Sequence, residues 1–182
     1  MSSVLFDDNN DADSLTYEEK KEIEILMSTL FHMGVPIVMA AGNIDFGDES
    51  DEVNGIPQVF EDDDFPLLNV GSADQFGNID CTSKRGSKVS VYLDGTAATC
   101  VAFKDSAGNY VPQIGTSYAA PLLAGMIAVF MSQTQGKFYD ATHQYAGTRE
   151  FVERVRHFIK TEASYIRVGG ARMGWNMAPK AS

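Results

Sequence analysis

The chain has 182 residues, 44% of them hydrophobic, and a formal net charge of -11. That length and apolar share suit a single globular domain with a substantial core and exclude a disordered chain. The charge argues against nucleic acid or an anionic membrane as a general partner, and no apolar run approaches the length that spans a bilayer.

The first residues, Met1-Ser2-Ser3-Val4-Leu5-Phe6-Asp7-Asp8, have no basic region and turn acidic too early for a secretory leader. Asp7 to Ser14 is acidic and turn-rich. Thr16-Tyr17-Glu18-Glu19 then has the spelling of a capping box. Ile23, Leu26, Met27, Leu30 and Phe31 follow at helical spacing, so an amphipathic helix is expected over 16–33, stopped by Gly34. Ile37 to Ala41 is nearly all apolar, as in a parallel strand covered on both faces. Helix, short turn and buried strand make half of an α/β crossover.

Residues 44–66 carry nine carboxylates, from Asp45 to Asp64, with Gly47, Gly55 and Pro57 as breakers. They read as a long, solvated surface loop. Leu67 to Gly71 and Val89 to Leu93 are the next strands, the second closed by a turn at Asp94-Gly95. Residues 96–114 read as a looped connection with a hairpin about Ala107-Gly108-Asn109. A helix is expected over 117–132, broken at Gln135-Gly136. A second is expected over 148–160, with Phe151, Val152, Val155, Phe158 and Ile159 on one face. Residues 169–182 read as a tail anchored only by Trp175, which leaves one domain over 1–168. Cys81 and Cys100 could form one disulfide or stay as two thiols.

The chemistry concentrates in Gly115-Thr116-Ser117-Tyr118-Ala119-Ala120-Pro121. This string sets a serine at the mouth of a helix. Ala119, Ala120, Leu122, Leu123, Ala124, Ile127 and Val129 read as a buried helix behind it, and Pro121 is tolerated because it lies near the start. A serine there has a free backbone N–H and the positive end of the helix dipole beside it, as a nucleophile that creates an oxyanion requires. A plain helix cap is the simpler use of such a serine. A second string bears on the choice: Val35-Pro36-Ile37-Val38-Met39-Ala40-Ala41-Gly42-Asn43 is an apolar strand ending in an asparagine on a turn.

Together the two strings resemble the subtilisin-like serine peptidases. The resemblance implies Ser117 as nucleophile and Asn43 as the side-chain donor to the oxyanion. It implies Ala40, Ala41 and Gly42 as a wall of the primary specificity pocket, with Gly115 and Thr116 shaping the approach to the serine. It also implies an α/β fold, a three-layer parallel sheet with helices on both faces, of which this chain carries the C-terminal half. The reaction implied is peptide-bond hydrolysis through an acyl-enzyme, on a peptide or protein substrate, with no cofactor required and an extracellular location.

The family's Asp-Thr/Ser-Gly and His-Gly-Thr segments have no counterpart here. His32, His143 and His157 are followed by Met33, Gln144 and Phe158. Asp45-Phe46-Gly47 follows the asparagine turn and does not fit the triad strand. Without a base and its orienting carboxylate the serine is a poor nucleophile. The chain alone is therefore expected to be inactive or nearly so, marginally stable and prone to associate, with a partner chain as one source of the missing half. A non-catalytic relic used for binding is the main alternative. An α/β-hydrolase esterase, with Asp140 and His157 following the serine in that fold's order, is a weaker one. The acidic run could favour a basic substrate side chain or hold a structural calcium, yet it lacks the spacing of a calcium loop, so no metal ligands are assigned.

Overall fold

The computed structural model describes residues 15–45, 47–96, 98–104, 106–167 and 170–177, with the backbone alone for 98–104, 111 and 112. Helix α1 (Tyr17–His32) opens on the capping box: Glu19 N–H donates to Thr16 Oγ1, and Thr16 N–H donates to Glu19 Oε2 at 2.8 Å. Two orphan donors of the first turn are satisfied at once. Gly34, at φ 73°, ends the run; a Cβ there would stand 2.7 Å from the Gly147–Thr148 backbone.

Strands β1 (Val38–Ala40), β2 (Leu68–Ala73) and β3 (Val91–Asp94) run parallel, with Ala40 opposite Val70 and Val70 opposite Val91. Between β3 and α2 (Thr116–Ser132), β4 (Ala98–Lys104) and β5 (Tyr110–Gln113) form an antiparallel hairpin. Two further helices follow, α3 (Lys137–Thr142) and α4 (Arg149–Thr161), then β6 (Ser164–Ile166) and β7 (Arg172–Gly174). The five-stranded sheet has the order β1-β2-β3-β7-β6, parallel except for the β6–β7 pair.

Alternation along the strands sorts the core. Ala40, Leu68, Val70 and Val91 meet Ala119, Leu123 and Ile127 of α2, and behind them Phe130, Phe138 and Phe158. Ile37, Met39 and Leu67 point the other way, against Met27 and Phe31 of α1. Helices thus cover both faces, as a parallel sheet requires.

Four expectations need correction. Residues 170–177, expected within a C-terminal tail over 169–182, are part of the fold: Met173 pairs with Tyr92 in the sheet, and Trp175 N–H donates to Ala163 O at 2.8 Å. The short α3 was not expected. The acidic segment 44–66 is only partly a surface loop. Val53, Ile56, Gln58, Glu61 and Phe65 are buried; Gln58 Nε2 donates to Ala40 O, and Glu61 is held by Arg156 and Lys160 of α4. Its carboxylates look solvated in sequence because their cations lie far along the chain. Finally, α2 is not buried all round. Ala119, Ala120, Leu123 and Ile127 face the sheet, while Leu122, Ala124 and Val129 are exposed. An uncharged helix reads as buried on every side, but the sheet covers only one.

Candidate active site

The two strings that drew attention in the sequence meet at the C-terminal end of the parallel strands. Asn43 follows β1 on a turn in which Gly42 has φ 98°. Its Oδ1 accepts from Thr116 N–H at 3.1 Å and from Thr116 Oγ1 at 3.2 Å. With Oδ1 so occupied, Nδ2 faces away from these donors and has no acceptor among the described residues. Gly115 makes this approach possible. Its φ is 138°, and a Cβ would stand 3.2 Å from Asn43 Nδ2. The glycine is itself pinned by Gly115 N–H to Gly95 O at 2.9 Å.

Thr116 is fully buried and begins α2; Ser117 is next, half-buried in the first turn. Tyr118 N–H already donates to Gly115 O. Ser117 N–H has no acceptor, and Ser117 Oγ has no hydrogen-bond partner, among the described residues. The local inventory is therefore rich in donors: Asn43 Nδ2 close to Gly115, and Ser117 N–H in the first turn of α2. Of the expected pocket wall, Ala40 and Ala41 are buried, with Ala40 in the core under α2, and Gly42 is half-buried.

Residues without a sequence signal hold the asparagine turn from its other side. Asn43 forms a bridge with Ser83, Ile44 N–H donates to Thr82 O, and Lys84 N–H donates to Gly42 O. The Lys84 side chain, 5% exposed, sends Nζ to Asp48 Oδ2 at 2.7 Å and to Ser50 O at 2.8 Å. The ammonium of Lys84, then the N–H of Asp45, hold the Asp48 carboxyl below its ordinary range. One carboxylate of the acidic run is thus occupied by a cation of the chain itself. Only the tertiary fold brings Lys84 to it, 36 residues on.

The histidines lie elsewhere. His32 is exposed at the end of α1, its Nδ1 2.7 Å from Ser28 O. His143 is exposed and stacks on Tyr139. His157 and Asp140 line a groove of about 800 Å³ between α3 and α4, and Ser117 is not among its lining residues. The hydrolase-type arrangement of Ser117, Asp140 and His157 is therefore not assembled. Among the described residues no group of three or more His, Cys, Asp or Glu side chains is placed to hold a metal ion. Cys81 is an exposed free thiol, and the side chain of Cys100 lies outside the described residues.

The model of the subtilase family matches residues 7–175. The chain belongs to the subtilase family. Solved subtilases share its fold. A cold-adapted subtilisin-like serine proteinase superposes with a TM-score of 0.57 at 19% identity, over 84% of this chain and 49% of that one. The self-cleaved protease domain of PatA gives 0.52 at 19%, over 80% and 46%. MycP1 with its N-terminal propeptide removed gives 0.54 at 24%, over 75% and 45%. This chain thus spans about half the length of the solved subtilases it matches. No curated protein matches it. No helix among the described residues is long and apolar enough to cross a membrane.

Proposed function

We propose that this subtilase carries the nucleophile and oxyanion half of an acyl-transfer site acting on peptide bonds. Ser117 Oγ attacks the carbonyl carbon, and the carbonyl oxygen takes the negative charge. Asn43 Nδ2 and Ser117 N–H donate to that oxygen, the leaving amine takes a proton, and water later releases the acid from the acyl-serine. The supporting observation is the fixed carboxamide: both acceptor positions of Asn43 Oδ1 are taken by the residue before Ser117, which leaves only a donor for a ligand.

The proton on Ser117 Oγ has no acceptor among the described residues, so the base must come from outside them. In subtilisin, the family's type case, loss of the histidine costs about 10⁶ in turnover. The chain by itself should therefore not turn over peptides. No cofactor or metal enters these steps, and an extracellular setting follows from family membership alone.

The test is hydrolysis of a chromogenic peptide by the pure chain and by Ser117→Ala, with fluorophosphonate labelling of both. The expected result is no turnover above the variant, and labelling of Ser117 only when a base is supplied. Turnover at ordinary enzymatic rates would overturn the missing-base reading. A serine that stays unlabelled under every condition would favour a non-catalytic binding role, the reading that the unpartnered Ser117 Oγ also supports.

A further inference from the structure

Among the described residues the buried charged side chains are Glu61 and Lys84. Glu61 ties the acidic segment to α4. Lys84, 4% exposed, lies against the turn that carries Asn43. A lysine is seldom buried unless its ammonium is paired, because the ion gives up its hydration. The groups that offset this loss all belong to one loop.

The stem and backbone of Lys84 meet the residue before Asn43. Lys84 N–H donates to Gly42 O at 2.9 Å, and a Cβ on Gly42 would stand 3.3 Å from Lys84 Cγ. The ammonium meets the residues after it. Nζ donates to Asp48 Oδ2 at 2.7 Å and to Ser50 O at 2.8 Å. The same Asp48 oxygen accepts from Asp45 N–H at 3.1 Å, two residues past the asparagine. One residue thus grips the chain on both sides of Asn43.

The ends of this loop are held by backbone. Ile44 N–H donates to Thr82 O, Arg85 N–H to Asp51 O and Val53 N–H to Arg85 O. Between those ends, among the described residues, every hydrogen bond from residues 45–50 to a residue outside 44–53 ends on Lys84 Nζ. Thr116 fixes the side chain of Asn43. Lys84 fixes the chain on which that side chain is mounted.

We infer that Lys84 is a positioning residue for the donor Nδ2 of Asn43. It acts through the turn, by clasping residues 45–50 to it, so that the carboxamide is presented in one place. A donor serves an oxyanion best where it already stands when the charge develops. That chemical consequence rests on the acyl-transfer reading; the positioning does not.

Thr116 N–H, bonded to Asn43 Oδ1, reports the place of the carboxamide without any reaction. The experiment measures amide hydrogen exchange on the full chain for wild type, Lys84→Met, Asp48→Asn and the double variant. The Leu123 amide, inside α2, is the internal reference. Lys84→Met keeps an unbranched stem and removes the charge; should it fail to fold, Asp48→Asn makes the same test from the more exposed partner. Each single variant should speed exchange at Thr116 by about tenfold relative to Leu123, and the double variant by no more than the larger of them. Equal acceleration at both amides, unchanged exchange at Thr116, or additive effects in the double variant overturn the positioning role. The second readout is fluorophosphonate labelling of Ser117 with imidazole supplied as base. It should slow by about tenfold in Lys84→Met, less than the loss of about 10²–10³ for removing the donor outright. Faster exchange at Thr116 with unchanged labelling, or with no labelling of the wild type, keeps the positioning and overturns the acyl-transfer reading.

Discussion

Asn43 and Thr116 stand 73 residues apart in sequence and are joined twice, by the Thr116 N–H and by its Oγ1, both to Asn43 Oδ1. These two hydrogen bonds to one carboxamide oxygen fix the orientation of the side chain and leave Nδ2 outside the pairing. They also tie the end of β1 to the start of α2.

Asn43→Ala removes the acceptor and leaves two donors of the fully buried Thr116 unmatched. The expected loss in urea unfolding is about 1–2 kcal/mol, more than for Thr116→Val, which keeps the asparagine's backbone partner. In whatever complex labels with fluorophosphonate, the same substitution should slow labelling by about 10²–10³, the figure established for the asparagine of subtilisin. Equal stability of the alanine variant and the wild type would mean that the two bonds are not made in solution.

Glu61 gives a second, independent measurement. Its carboxylate is 4% exposed and holds the Arg156 guanidinium and Lys160 Nζ, the latter at 3.5 Å. Glu61→Ala strands two cations at a partly buried site, and Asp63, fully exposed, is a poor substitute partner for Arg156. Breaking a buried pair from one side costs about 3–5 kcal/mol. A loss of that order in the unfolding free energy from urea titration is expected; a change no larger than that of a surface substitution would show the cluster to be open to water.

These two sites show where sequence reading succeeds and where it stops. The two strings were legible because each carries its own local signature, a glycine next to a polar side chain at the end of a strand or the start of a helix, and the structure joins Asn43 of one to Thr116 of the other. The cap of α1 was legible for the same reason, since Thr16 and Glu19 are three residues apart. The Glu61 cluster and the Lys84 clasp were not, because the partners lie 95 and 36 residues away and nothing local distinguishes a paired carboxylate from a solvated one. Helix α2 failed differently. Its composition reports what it is built to be buried by, while the described structure covers only its inner side. Strand β7 failed because Arg172-Met173-Gly174 has one apolar residue and too little length to show alternation.

The Asp48–Lys84 clasp predicts a specific pH dependence. Asp48 is held below its ordinary value of 3.8, chiefly by the Lys84 ammonium. A carboxyl depressed in the folded state contributes stability that is complete above the unfolded value and is lost as pH falls through the folded one. Urea midpoints of wild type and Asp48→Asn should therefore differ by a constant gap above about pH 5 and converge as the pH drops below about 4. The asparagine variant should be the weaker at neutral pH because it leaves the buried ammonium of Lys84 without its counter-ion. A gap that persists unchanged to pH 2 would show that the carboxylate charge is not what holds the turn after Asn43.

The last strand offers the plainest test of the fold. Met173 of β7 is 5% exposed and packs with Ala73 and Tyr92, and its backbone closes β3 on the side away from β2. Arg172 also reaches back to Lys160 O at the end of α4. Deleting residues 169–182 removes this strand, bares the Tyr92 cluster and frees the inner edge of the sheet, which also invites aggregation. Met173→Ala alone should cost about 2–3 kcal/mol for the cavity it leaves, and the deletion should cost more, since backbone pairing is lost with the side chain. The measurement is the urea midpoint followed by far-UV circular dichroism, with sedimentation to detect association. A truncated chain that unfolds at the wild-type midpoint as a monomer would mean that β7 is an appendage and that the sheet is complete at β3.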